Sequence, residues 1–323
     1  MPEITYRKAI SQALREILQS DPRAFMIGED IGGYQGAYAV TRGFLKEFGP
    51  ERIKDTPIAE SVIVGAGIGA AMAGSRPIIE IMTINFSLLA MDQIINCAAK
   101  LHYMSGGQVT VPLVIRTVSG GGNQLAASHS QSLEGWFAHV PGLKVVAPST
   151  PYDAKGLLRA AYEDPNPVMY VEHSLLYGTK GDIPDEEYSI PLGVADVKRE
   201  GSDVTIISYS RMVQVALKAA VRLEEEGIDA EVVDLRSLRP MDTETIINSV
   251  KKTSRAVVVE EGWKAMGIGA EVSARIMENA LEYLDAPVQR VAGADIPMPY
   301  SRPLELATLP NEDRIIEAVH RLF

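Results

Sequence analysis

The chain has 323 residues, 46% hydrophobic and 23% charged, and 31 Lys and Arg stand against 42 Asp and Glu for a net charge of −11. That length predicts two domains with cores large enough to need neither disulfide nor metal, and the single Cys97 excludes an internal disulfide or cysteine zinc cluster. Both parts are acidic, −4 up to residue 186 and −7 beyond, which excludes nucleic acid and anionic membrane as partners. The apolar run 61–75 is 15 residues long, short of the roughly 18–20 a membrane span needs. The N-terminal stretch has no apolar signal core, so the chain is expected to be soluble and intracellular.

In chain order, Ile10, Ala13, Leu14, Ile17 and Leu18 form one apolar stripe at helical spacing, closed by Asp21-Pro22. A strand at 24–27 then delivers Gly28-Glu29-Asp30. Further strands are predicted at 76–81, 111–117, 143–147 and 167–172, with helices at 61–74, 87–103 and 151–163. The pattern fades around 178–200, which reads as a connection. A second alternation follows: strands at 203–209, 230–235, 256–260 and 287–291, and helices ending near 226, starting near 243 and spanning about 269–283. Apolar strands alternating with helices predict mostly parallel sheets covered on both faces. The fold class is therefore α/β with two consecutive α/β domains, 1–186 and 201–323, joined by a linker at 187–200.

Several motifs have two readings. Gly65-Ala66-Gly67-Ile68-Gly69-Ala70 loosely matches a dinucleotide fingerprint, which would suit a nicotinamide oxidoreductase. The acid Glu80, however, follows Gly65 by 15 residues where the fingerprint expects about 20. A tightly packed helix explains the glycines better. Glu60, at the mouth of that helix, reads as a first-turn acid favoured by the helix dipole, worth under ~1 kcal/mol. His129, between Ser128 and Ser130, reads as a hydrogen-bonded loop residue or as an acid–base group titrating near neutrality.

The stretches 55–60 and 80–96, Tyr103-Met104-Ser105-Gly106-Gly107, His129-Ser130-Gln131-Ser132, 141–146, 235–242 and Gly293-Ala294-Asp295-Ile296-Pro297-Met298-Pro299-Tyr300 follow one another in a recognisable order. Together they resemble the beta subunits of the first, decarboxylating component of the 2-oxo acid dehydrogenase complexes, nearest the pyruvate branch. The fold implied is a pyrimidine-binding transketolase-like domain followed by a transketolase C-terminal-like domain.

The resemblance implies thiamine diphosphate as cofactor. Glu60 falls on the glutamate that bonds the pyrimidine ring nitrogen and favours the imino tautomer, which deprotonates the thiazolium carbon. Phe86 falls on the residue that stacks on the pyrimidine, with Ile58 and Met82 lining the same pocket. Core packing is the alternative for those three. His129 falls on the family's acid–base residue for acyl transfer, and Glu29 and Asp92 on acids placed near the cofactor or in an acidic passage between paired sites. A structural potassium ion is implied at oxygens of Leu113, Ala161, Tyr162, Asp164 and Asn166.

Relatives hold the diphosphate through Mg²⁺ on a Gly-Asp-Gly motif followed by Asn-Asn, and neither occurs here. The resemblance therefore implies a separate alpha subunit carrying Mg²⁺, in a two-alpha, two-beta assembly. The reaction implied is oxidative decarboxylation of pyruvate with acetyl transfer to the lipoyl domain of dihydrolipoyl acetyltransferase. Its expected location is bacterial cytoplasm, or an organelle matrix or stroma after removal of a transit peptide. A branched-chain 2-oxo acid or acetoin dehydrogenase subunit, and a catalytically silent scaffold, are the alternatives.

Overall fold

The computed structural model describes residues 3–323, so Met1 and Pro2 of the N-terminal stretch lie outside the described residues. The chain divides into two compact units. One runs up to Ser119 and resumes at Trp136–Leu192; the other combines Gly120–Gly135 with Gly193–Phe323.

The first unit contains β1 (Glu3–Thr5), β2 (Ala24–Gly28), β3 (Ile53–Asp55), β4 (Arg76–Glu80), β5 (Val114–Ser119), β6 (Lys144–Val146), β7 (Val168–His173) and β8 (Lys180–Asp182). Six of them pair in parallel in the order β6-β7-β5-β4-β2-β3, and β1 pairs antiparallel with β8. Every residue of β5 and β7 is buried, as expected of strands covered on both faces. Helix Tyr6–Ser20 buries the predicted stripe, adds Tyr6 and Ala9 to it, and packs against helix Pro151–Glu163. Thr5 caps the first helix by accepting from Lys8 N, and Thr150 caps the second, with Pro151 in its first turn.

Helix Glu60–Met72 lies close on β4. A Cβ at Gly67 would come within 2.5 Å of Ile79 Cδ1, so glycine is what permits the approach. The run 65–70 lies within this helix. A dinucleotide fingerprint needs its glycines in the turn entering the helix, where the backbone meets a pyrophosphate. The nicotinamide reading therefore fails on geometry.

The second unit contains β9 (Asp196–Arg199), β10 (Val204–Ser208), β11 (Ala230–Asp234), β12 (Ser237–Arg239), β13 (Ala256–Trp263) and β14 (Gln289–Gly293). Five form a sheet in the order β14-β13-β10-β11-β9, parallel except for the edge strand β9. Its core includes Val204, Ile206, Val232, Val257 and the apolar faces of helices Arg211–Glu225 and Glu312–His320.

The structure adds short elements that were not predicted, among them β1, β3, β12 and helix Glu312–His320, and it overturns the predicted pattern in two places. The stretch read as a connection contains β8 and β9, whose short, charged sequences lack an apolar alternation. Charge of this kind is characteristic of sheet edges. The single helix predicted at 87–103 is instead three pieces: a 3₁₀ segment Ile84–Ala90, a π-helical turn Gln93–Ala98 and one α-turn Leu101–Met104. The widened turn is visible in Ala99 N donating to Ile94 O, a five-residue step. Irregular helices of this type concentrate at functional sites.

Candidate active site

In a parallel sheet all carboxyl ends emerge on one edge, where open α/β folds bind ligands. On that edge of the first unit stand Gly28-Glu29 after β2, Ile81-Met82 after β4 and the 3₁₀ segment that follows. The loop after Glu29 is fixed by Asp55 at the end of β3, which accepts from Gly32 N at 2.6 Å and Gly33 N at 2.7 Å. Glu60 is the first residue of its helix and only 6% exposed. Among the described residues no ion pair or side-chain hydrogen bond engages its carboxylate. Burial, then the charges of Asp30 and Glu60, push the carboxyl of Glu29 above its ordinary value. The charges of Asp30 and Glu60 thus reach Glu29.

Met82 and Phe86 are half-buried, but Ile58 is 73% exposed, so core packing does not account for it. Asn85 Nδ2 donates to Thr83 Oγ1 at 3.0 Å, holding the turn that leads to Phe86. Beneath Met82 lies a buried ionic network. Arg116 on β5 meets Glu80 of β4 and Glu172 of β7, each at 2.6 Å, and Tyr177 donates to Glu172 at 2.8 Å. Burial works against the charge on Arg116, but the two carboxylates outweigh it and hold its pKa raised. Glu80, the acid of the fingerprint reading, is committed to this pair.

In the second unit His129 lies exposed in the loop 120–135, with its Nδ1 2.9 Å from Ser128 Oγ. Remote carboxylates hold the loop's base. Glu261 Oε1 accepts from Gly121 N at 2.7 Å, and fully buried Glu305 accepts from Gly122 N at 2.9 Å and Gln124 N at 3.0 Å. A Cβ on Gly121 would come within 2.8 Å of Met298 Cε, so the 293–300 stretch packs on the base of the His129 loop. Of the other four histidines, His102 and His173 bond nearby backbone, His320 pairs with Glu226, and His139 is exposed.

The family description "Transketolase, pyrimidine binding domain" matches residues 2–180, and "Transketolase, C-terminal domain" matches 193–315. The pyruvate dehydrogenase E1 component subunit beta-1, mitochondrial, of Arabidopsis thaliana is 51% identical over 99% of this chain and 89% of its own length. The corresponding subunit of Rickettsia conorii is 50% identical over 99% of this chain and 98% of its own. The chain belongs to the family of pyruvate dehydrogenase E1 component beta subunits. Among solved structures, a chain described as "Split gene transketolase, inactive beta4 tetramer" superposes with a TM-score of 0.82 at 25% identity, covering 99% of this chain and 98% of that one. The two α/β domains and mostly parallel sheets are those of this family. No helix among the described residues is long and apolar enough to cross a membrane.

The five residues expected to supply a cation site all belong to the first unit. Arg76 Nη2 donates to Tyr162 O at 2.6 Å and Asp164 O at 3.0 Å, and Leu113 O accepts from Val168 N at 3.0 Å. The Asp164 carboxylate faces Lys144 and accepts from Asn166. Each bonded carbonyl keeps a second lone pair, and a set of carbonyl oxygens suits a hard cation.

The Glu80–Arg116–Glu172 network and the anchors Glu261 and Glu305 were not picked out from sequence. For the network a signal existed: a charge inside an otherwise apolar strand, as at Arg116 in Val114-Ile115-Arg116-Thr117-Val118. For Glu305, 181 residues beyond the Gln124 whose amide it accepts, none did.

Proposed function

We propose that this chain works with a separate alpha chain as the pyrimidine-side half of a thiamine diphosphate enzyme, which decarboxylates pyruvate and passes the acetyl group to a lipoyl domain. The observation that carries the reading is Glu60, a buried carboxylate at a helix start on the binding edge, whose carboxylate meets no ion pair or side-chain hydrogen bond among the described residues. A carboxylate so placed is available to an N–H of a ligand ring. The exposed Ile58 and half-buried Met82 and Phe86 give the apolar wall that a flat ring needs. Thiamine diphosphate supplies, when bound, the carbon nucleophile and electron sink for cleaving a 2-oxo acid.

Glu60 holds the pyrimidine ring nitrogen through its carboxylate oxygen and exchanges a proton there. The excess negative charge of Glu29 and Asp30 favours a positively polarised ring beside it. His129, exposed to an incoming partner, donates a proton from its imidazole during acyl transfer. The diphosphate and Mg²⁺ fall to the alpha chain, in a two-alpha, two-beta assembly. Dihydrolipoyl acetyltransferase is the acceptor.

The test is reconstitution. This chain alone should show no pyruvate decarboxylation, and an alpha chain with Mg²⁺ and thiamine diphosphate should restore it. The structural relative described as an inactive beta4 tetramer supports that expectation. Activity from this chain by itself would overturn the shared site.

Potassium is proposed to sit on oxygens of Leu113, Ala161, Tyr162, Asp164 and Asn166, several of them backbone carbonyls, as a structural ion. Replacing K⁺ by a bulky organic cation should lower Tm by a few degrees, the scale of ~1–3 kcal/mol of linked binding. An unchanged Tm sinks the assignment.

A further inference from the structure

A groove of about 720 Å³ opens on the first unit where β1, the start of helix Tyr6–Ser20, the segment after β2 and the turn after β7 meet. Five cations line it, Arg7, Lys8, Arg15, Arg42 and Lys180, against the single acid Glu3. Two are already paired: Lys180 Nζ with Glu3 at 3.1 Å, and Arg15 Nε with Glu47 at 2.9 Å. Arg7, Lys8 and Arg42 are exposed and have no ion pair among the described residues. The Arg7 guanidinium lies 5.7 Å from the Tyr177 ring centroid, which orients it without neutralising it.

Two features make this more than a solvated face. The chain as a whole carries −11, so three unpaired cations around one concavity run against its field. Arg7 and Lys8 also occupy the first helical turn, which contains no acid. Cations there oppose the helix dipole, and an anion in the groove would relieve both repulsions. The volume is that of a small-molecule site, and two guanidinium forks with one ammonium suit the oxygens of linked phosphates.

We propose that this groove binds a small polyanion of the phosphate-ester class, carrying two or three linked phosphates, on Arg7, Lys8 and Arg42. The site is separate from the Glu60 pocket and does not depend on the catalytic reading.

Titration calorimetry on the full chain, without an alpha chain, tests it with inorganic tripolyphosphate as probe. One saturable site per chain is expected at low salt, weakening steeply as salt rises. Inorganic phosphate should bind more weakly. Arg7→Gln combined with Arg42→Gln should weaken tripolyphosphate binding by about tenfold or more, as expected for lost charge-assisted bonds. Lys218→Gln, exposed in the second unit, should leave binding unchanged. Because Arg7 and Arg42 are exposed, the double variant should keep its circular dichroism and Tm. No saturable binding at low salt, or equal binding by wild type and a folded double variant, overturns the proposal.

Discussion

The surroundings of Glu60 and the loop around His129 are built in opposite ways. Glu60 is buried, fixed by the first turn of a helix that packs on β4 through Gly67. His129 is exposed, and the base of its loop is held by Glu261 and Glu305. A group that must act on a resident ring gains from burial, which strengthens every electrostatic contact it makes. A group that must meet a visiting partner gains from a loop placed by a rigid scaffold. The contrast implies that damage at Glu60 should be chemical and nearly complete, whereas damage at His129 should be selective for one step.

Glu60→Gln carries the largest expected effect. The amide keeps the shape but loses the charge and the proton-exchanging oxygen. In the enzyme assembled with its alpha chain, exchange of the cofactor's thiazolium proton and turnover should fall by ~10²–10³ or more, with Tm little changed. Unaltered exchange would return Glu60 to helix capping. His129→Ala should come next and should divide the reaction. Reduction of an artificial acceptor, which reports decarboxylation, should fall less than acetylation of a lipoyl domain. General acid catalysis contributes typically ~10²–10⁴-fold only where its proton moves. Equal losses in both assays would make His129 a positioning group for the whole site.

The loop's anchors give a milder version of the same effect. Glu305→Ala strands the amides of Gly122 and Gln124, at about 1–3 kcal/mol for buried donors left unpaired. Acetyl transfer should again suffer more than decarboxylation, and Glu305→Gln should recover part of the loss because its amide oxygen still accepts. Denaturant unfolding with both activity assays decides it. An alanine variant that matches wild type in stability would remove Glu305 from the anchoring role.

The long elements were legible because one face or both faces of each are apolar. The stripe Ile10, Ala13, Leu14, Ile17 and Leu18, and the fully buried β5 and β7, follow from period and run length alone. Short edge strands were not, since three or four residues such as Asp196-Val197-Lys198-Arg199 hold no period. The broken helix at 84–104 was hidden because its residues suit an ordinary helix. Its widening lies in Ala99 bonding to Ile94 rather than to Ile95, which no residue type in the stretch announces. Glu60 and His129 were visible as residue types in ordered motifs. Their supports, Asp55 for the Glu29 loop and Glu305 for the His129 loop, are ordinary acids in sequence and gain meaning only from the amides they meet.

The smallest effect belongs to Glu29, and it probes the charge gathered around Glu60. Burial first, then Asp30 and Glu60, raise the Glu29 pKa from its ordinary 4.5. A carboxyl raised on folding binds its proton more tightly in the native than in the unfolded state. Its ionisation therefore opposes folding above the raised pKa, and the penalty disappears as pH falls through that value and below 4.5. Glu29→Gln should accordingly be more stable than wild type at pH 7, by no more than about 0.5 kcal/mol for a half-buried group screened by solvent. The advantage should close under acid conditions. Adding Glu60→Gln should shrink the gain at pH 7, because one of the charges pushing on Glu29 is gone, whereas adding His129→Ala should leave it intact. Urea unfolding at pH 7 and pH 4 on wild type, the three single variants and the two double variants reads this directly. A gain that is the same at both pH values would mean that Glu29→Gln acts through packing, and that the acidic group around Glu60 is not coupled.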